Sequence, residues 1–241
     1  MNIINNINDA IVWLNDPLNW TLPTTGIIDR TKEHLFISAL AVGLGCLIAW
    51  PVGIALGHFG RGGGFVVTVA NLTRAIPTVA LLTIFPLTFL GFGTPPIVVA
   101  LTVFAIPPLL ANAFLGLREV DPEVREAAVG MGLSRWQLLT KVELPLSVPY
   151  LASGFRTAAV QVIATATLAA FVNGGGLGMI ISRGFGIGIA SGGGQVLAGG
   201  LLVAVLCLIA EGLLALAERA VTPRPLRIRR KLSEGRVSMA A

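Results

Sequence analysis

The chain has 241 residues, 54% of them hydrophobic and only 12% charged, and a formal net charge of +5. With a mean hydropathy of +0.83 this excludes a soluble domain, in which roughly a quarter of residues carry charge, and it excludes disorder, which requires low hydrophobicity. Its two cysteines, Cys46 and Cys207, both lie in apolar runs, so neither a disulfide scaffold nor a cysteine metal site is expected.

Residues 1–33 read as an extramembrane arm. The opening MNIINNINDA has no basic n-region, so no signal peptide is expected, and Trp13 and Trp20 suit the headgroup level. Five apolar runs then approach the length that crosses a hydrocarbon core about 30 Å thick. They cover His34–Leu56, Phe65–Leu90, Pro96–Leu117, Pro149–Val172 and Val196–Glu218. The expected fold class is all-α, a polytopic membrane protein with about five transmembrane helices. The membrane domain is residues 34–218, and a basic tail covers 219–241. Gly53 and Gly57 form a GxxxG in the first span, which predicts close helix packing. Pro77 and Pro86 interrupt the second span, and the stretch from Phe65 to Arg74 fits either that span or the interface before it. Prolines at 51, 77, 86, 107 and 108 lie within spans, where each removes a backbone donor.

Between the third and fourth spans lies a loop, residues 118–147, that spells helix, turn, helix. Asp121 is placed to cap a helix with Pro122 in its first turn, Gly130 and Gly132 supply the turn, and Ser134 with Gln137 forms a capping box. The second short helix is expected to stop at Leu144-Pro145. Two short capped helices are marginal in water without something to pack on, which points to a docking surface.

Beyond the fourth span, residues 173–194 carry ten of the 29 glycines and read as a pliable outer loop, with Asn173, Gly174, Gly175 and Gly176 as a candidate outer gate. No GxxxxGK[ST] occurs in the chain, so no nucleotide site is expected. Twelve of the 17 Lys and Arg fall on the side of the 118–147 loop and the tail. That distribution orients the N-terminus outside and the C-terminus in the cytoplasm. The tail PRPLRIRRKL is expected to rest on anionic lipid rather than on nucleic acid. Three ionisable residues remain inside spans, Arg74, Arg156 and Glu211. Such groups are expensive in hydrocarbon unless paired, hydrated or able to snorkel. Glu211 is expected to meet Arg74 or Arg156 in the cytoplasmic half, as a strut or part of an inner gate; the alternative is that all three snorkel independently.

Starting at Glu126 the loop reads E-A-A, three residues, Gly132, nine residues, then V-E-L-P through Leu144 and Pro145. This resembles the EAA loop of bacterial ABC-importer permeases, E-A-A-x3-G-x9-I-x-L-P, with Val142 in place of Ile. TRAIPTVALL before the loop and GFRTAAVQVIATATLAAFVNGGGLG after it are similar to permeases of glycine betaine, carnitine and choline importers. The resemblance implies a pore subunit in a bacterial inner membrane. It would work with a second permease subunit, cytoplasmic ATPase subunits and an extracellular solute-binding protein. Glu126, Ala127, Ala128, Gly130, Gly132, Leu144 and Pro145 would form the ATPase-docking surface. ATP and Mg would be bound by the ATPase, leaving this chain without cofactor, metal or catalytic residue.

An intramembrane enzyme is a poor fit, because the only histidines are His34 and His58, near opposite ends of the first span, and no HExxH or GxSxG occurs. A secondary transporter or channel would carry its own coupling acids, and Glu211 is the only acid within a span. A quaternary ammonium is held by several aromatic faces. Only Trp50, Tyr150 and scattered Phe lie near any pathway, so selection is left to the binding protein, and an amino-acid importer, such as one for methionine, stays as the alternative.

Overall fold

A computed structural model describes residues 3–222, the side chain of Arg74 excepted, and every regular element among them is helical. In chain order these are α1 (Ile3–Asn15), α2 (Pro17–Thr21), α3 (Ile27–Phe59), α4 (Gly63–Ala75), α5 (Thr78–Ile84), α6 (Thr94–Arg118), α7 (Pro122–Gly130), α8 (Arg135–Leu138), α9 (Leu144–Ala166), α10 (Gly178–Gly186) and α11 (Ile189–Val221). A π turn over Leu139–Glu143 joins α8 to α9, and 3₁₀ turns follow α5 and α9.

Four stretches are long and apolar enough to cross a membrane: Ile27–Phe59, Thr94–Arg118, Arg135–Val172 and Ile189–Val221. The expected second span is a fifth only as a broken pair, since α4 and α5 meet at 78°. Pro77 explains the break. Ile76 before it is extended, at φ −86° and ψ 122°, as the clash with a following proline ring favours. By contrast Pro51, Pro107 and Pro108 sit inside unbroken helices, so proline count alone overstated how broken the bundle is.

The core is built on α3 and α6, which run parallel. Gly45 faces Ala105, Gly53 faces Ala113 and Gly57 faces Leu117, with a constant offset along both helices. A Cβ added at Gly53 would lie 2.7 Å from that of Ala113, and one at Gly57 2.7 Å from that of Leu117. Small residues four apart let the backbones approach, and dispersion over the long contact replaces the hydrophobic drive that lipid does not supply. α9 packs antiparallel on α6, where Gly116 meets Ser147 and Tyr150, and Gly154 meets Asn112.

Of the expected arm, residues 1–33, the described part is largely helical: α1 and α2 precede α3, which begins at Ile27 rather than His34. α1 turns Asn6 and Asp9 toward Gly193 and Gly194 of α11 and leaves Ile3, Ile4, Ile7 and Ile11 exposed. The Gly-rich segment 173–194 is not a loop, since it contains α10 and the first turns of α11. Of the basic tail, Arg219 lies in α11, while Arg224, Arg227, Arg229, Arg230, Lys231 and Arg236 lie outside the described residues.

Candidate functional site

The loop between α6 and α9 forms a hairpin at one end of the bundle. Asp121 Oδ1 accepts from the Glu123 N–H at 3.0 Å with Pro122 in the first turn. Two residues beyond α7 the chain turns at a left-handed Gly132, at φ +85°, whose N–H donates to the Val129 carbonyl at 2.9 Å. Ser134 and Gln137 then cap reciprocally, Ser134 N–H to Gln137 Oε1 at 2.9 Å and Gln137 N–H to Ser134 Oγ at 3.3 Å. The second helix does not stop at Leu144-Pro145. It continues through the π turn into α9, with the Leu144 N–H reaching back to the Leu139 carbonyl. A wider turn of this kind admits an extra residue, and Pro145, in the first turn of α9, has no N–H to lose.

Glu126, Ala127, Gly130, Gly132 and Pro145 are exposed on this hairpin, whereas Ala128 is buried and Leu144 half-buried. Ala128 therefore packs within the hairpin. Val124, Val129, Met131 and Trp136 are also exposed on the hairpin, with Met131 at 75%. Large apolar side chains left exposed beside an acid have the character of a protein-binding surface.

Beneath the knob lies a group that the sequence did not single out. Glu143 is 1% exposed, its Oε2 lies 2.5 Å from His58 Nδ1 at the end of α3, and its Oε1 lies 3.2 Å from Arg125 Nε in α7. Arg125 also donates through Nη2 to the carbonyl of Leu117 in the last turn of α6. Glu143 occupies a variable position of the EAA pattern, and no local signal pairs it with His58, 85 residues away.

Within the spans, Arg156 of α9 and Glu211 of α11 meet, Nη1 to Oε1 at 3.2 Å. Arg156 Nε also lies 3.2 Å from Glu218 Oε2. Glu211 and Glu218 are seven residues apart, close to two helical turns, so one guanidinium reaches both. Arg74 is on α4, but its side chain lies outside the described residues. Nearby helices leave a cleft of about 210 Å³ whose polar lining is Thr73, Asn112, Thr157 and Gln161. Thr157 and Gln161 are exposed on α9, and Asn112 Nδ2 donates to the Pro108 carbonyl at 2.8 Å. Sequence reading passed over Gln161, an uncharged residue in an apolar run.

The residues of the candidate outer gate make specific backbone and side-chain contacts. Asn173, Gly175 and Gly176 are left-handed, at φ +57°, +81° and +72°. The Gly174 N–H donates to the Ala169 carbonyl at 2.8 Å, and the Gly176 N–H donates to Glu33 Oε2 at 2.8 Å. The Leu177 N–H donates to His34 Nδ1 at 3.2 Å while His34 Nε2 lies 2.8 Å from the Ile163 carbonyl. Those partners fix a neutral imidazole that accepts at Nδ1 and donates at Nε2. Glycine is used here for positive φ and for close packing.

A family model described as binding-protein-dependent transport system inner membrane component matches residues 41–223. Three curated relatives are similar over most of both chains. The glycine betaine/carnitine/choline transport system permease protein OpuCB of Bacillus subtilis is 36% identical, covering 88% of this chain and 97% of its own. The carnitine transport permease protein OpuCB of Listeria monocytogenes is 38% identical, covering 86% and 94%. The osmoprotectant import permease protein OsmW of Salmonella typhimurium is 32% identical, covering 88% and 100%. Among solved structures, an inward-facing form of the MetNI methionine ABC transporter has a TM-score of 0.72 at 24% identity, covering 82% of this chain and 96% of that one, and it shares the fold.

Proposed function

Because the chain belongs to the family of binding-protein-dependent transport system inner membrane components, we propose that it is the pore-forming permease subunit of an ATP-driven importer for quaternary-ammonium osmoprotectants such as glycine betaine, carnitine and choline. The observation that carries this reading is the exposed, doubly capped hairpin bearing Glu126, in a chain whose relatives at 36% and 38% identity are permeases named for those solutes. Hydrolysis belongs to separate ATPase subunits that hold ATP and Mg and grip the hairpin through Glu126, Ala127, Gly130, Gly132 and Pro145. The hairpin faces the cytoplasm of a bacterial cell, consistent with Arg118, Arg125, Arg135 and Lys141 at its end of the bundle, and the N-terminus faces outward.

A second permease chain covers the face of α9 that exposes Thr157 and Gln161. An uncovered glutamine amide within a span would face hydrocarbon with its hydrogen bonds unmade. The solute path then runs along the cleft lined by Thr73, Asn112, Thr157 and Gln161, and the ion pairs of Arg156 with Glu211 and Glu218 brace its cytoplasmic half. Trp50 packs with Phe155, ring centroids 6.3 Å apart. Selection rests with the extracellular binding protein, which delivers the solute. ATP-driven closure must favour one pore conformation over the other by differential binding, since a ligand shifts an equilibrium only by that difference.

The test is uptake by proteoliposomes that contain the whole importer, offered labelled glycine betaine, carnitine, choline and methionine. ATP-dependent accumulation of a quaternary ammonium, with methionine excluded, is expected. Accumulation of methionine alone would replace the substrate assignment, and uptake independent of ATP would overturn the importer reading.

A further inference from the structure

Four elements converge on one buried carboxylate. Glu143 sits in the π turn that joins the hairpin to α9; it meets His58 in the last turn of α3 and Arg125 in α7, and Arg125 also holds the Leu117 carbonyl in the last turn of α6. The site suits this arrangement. Helix C-termini carry partial negative charge, so a guanidinium and an imidazole are well placed at the ends of α6 and α3, and the carboxylate between them completes the pairing. Stability alone does not call for it, because a buried ionic group of this kind can be replaced by well-packed apolar side chains at little or no cost.

The connectivity suggests what the network does. Hairpin movement passes to α9 directly, since Arg135–Val172 forms one long helical stretch. Among the described residues no helix joins the hairpin to α3, whose own chain continues into α4. The Glu143–His58 contact is a non-covalent route to α3. At that same end Gly57 is packed on Leu117, so α3 and α6 are held together.

We infer that Glu143, His58 and Arg125 are positioning residues that form a mechanical joint, through which movement of the docked hairpin is passed to α3 in addition to the α6 and α9 that the chain itself joins to it. The inference rests on the hairpin being the ATPase contact.

The experiment measures ATP hydrolysed per solute taken up, using the complete importer in proteoliposomes, together with the amount of ATPase subunit that co-purifies. Glu143→Gln keeps the shape and one hydrogen bond but removes the ion pair, whereas Glu143→Ala removes both. ATPase subunits should co-purify normally with both variants. ATP spent per solute should rise severalfold for Glu143→Gln and at least about tenfold for Glu143→Ala, within the range by which linking residues alter coupling. Arg125→Ala combined with Glu143→Ala should be no worse than Glu143→Ala alone if the residues act as a unit. If Glu143→Ala does not accumulate in the membrane, His58→Gln and Arg125→Lys, at the two less buried positions, decide the matter by the same ratio.

An unchanged ratio overturns the inference. So does loss of the ATPase subunit from the Glu143 variants, which would make the network a support for the hairpin only. Glu126→Lys is the control for docking itself. If it keeps full uptake, the docking reading fails and takes this inference with it. If it loses the ATPase while the Glu143 variants keep a wild-type ratio, only the joint is wrong.

Discussion

Glu126→Lys is expected to cut ATP-driven uptake by about a hundredfold, the effect of inverting a charge at the centre of a docked surface, while the chain still reaches the membrane in near wild-type amounts. Glu126 is exposed and does not contribute to the buried core of the bundle, so its reversal costs contact with a partner and not folding. Gly132→Val acts on the same surface by a different route. At φ +85° the position is left-handed, where an L residue pays roughly 1–2 kcal/mol and a β-branched one more. Nothing lies within 4 Å of an added Cβ there, so the penalty is purely conformational and is relieved by opening the turn. Loss of uptake by tenfold or more, on the order of that backbone cost, is expected. Gly43→Ala is the control away from the hairpin: it is helical and equally open, and uptake should be unchanged. Full transport by both Glu126→Lys and Gly132→Val would remove the docking role.

The second large effect falls on stability. A Cβ at Gly178 would lie 2.0 Å from the Thr167 carbonyl oxygen, and one at Gly192 would lie 2.0 Å from the Gly184 carbonyl oxygen. Backbone atoms cannot swing aside as a flexible side chain can, so alanine at either site forces helices apart at a cost of about 1–3 kcal/mol. For a chain of this size that corresponds to a melting temperature lowered by roughly 3–10 °C. Gly186→Ala and Gly200→Ala, where an added Cβ meets nothing within 4 Å, should melt with the wild type. Thermal unfolding of the detergent-solubilised chain, followed by size-exclusion chromatography, gives the comparison. If Gly178→Ala melts like the wild type yet transports slowly, the segment is a hinge after all.

The spans and the hairpin were legible because their signals are local. Runs of apolar residues set the helices, and Asp121, Pro122, Gly132, Ser134 and Gln137 announce their caps within a few positions of one another. What stayed hidden depends on contacts between residues far apart in sequence. Glu143 gains its meaning from His58, and Glu218 from Arg156, neither of which can be found without the packing. The glycines of 173–194 misled for a related reason. Composition records that a glycine is present, but the same residue serves a flexible loop and a tight crossing, and only Asn6, Asp9 and Glu33 pressed against Gly193, Gly194 and Gly175 tell the two apart. Pro77 and Pro107 differ likewise: the first breaks a helix and the second does not, because the neighbouring helices around α6 hold the chain in place.

The most direct measurement of the central claim is site-specific photo-crosslinking in membranes that contain the whole importer. A photoreactive residue at Met131, 75% exposed on the hairpin, is compared with one at Ile3, 72% exposed on α1. Capture of the ATPase subunit from position 131 and not from position 3 is the expected result. Capture from position 3, or from neither position in a complex that is transporting, would contradict the assignment of the hairpin as the coupling surface.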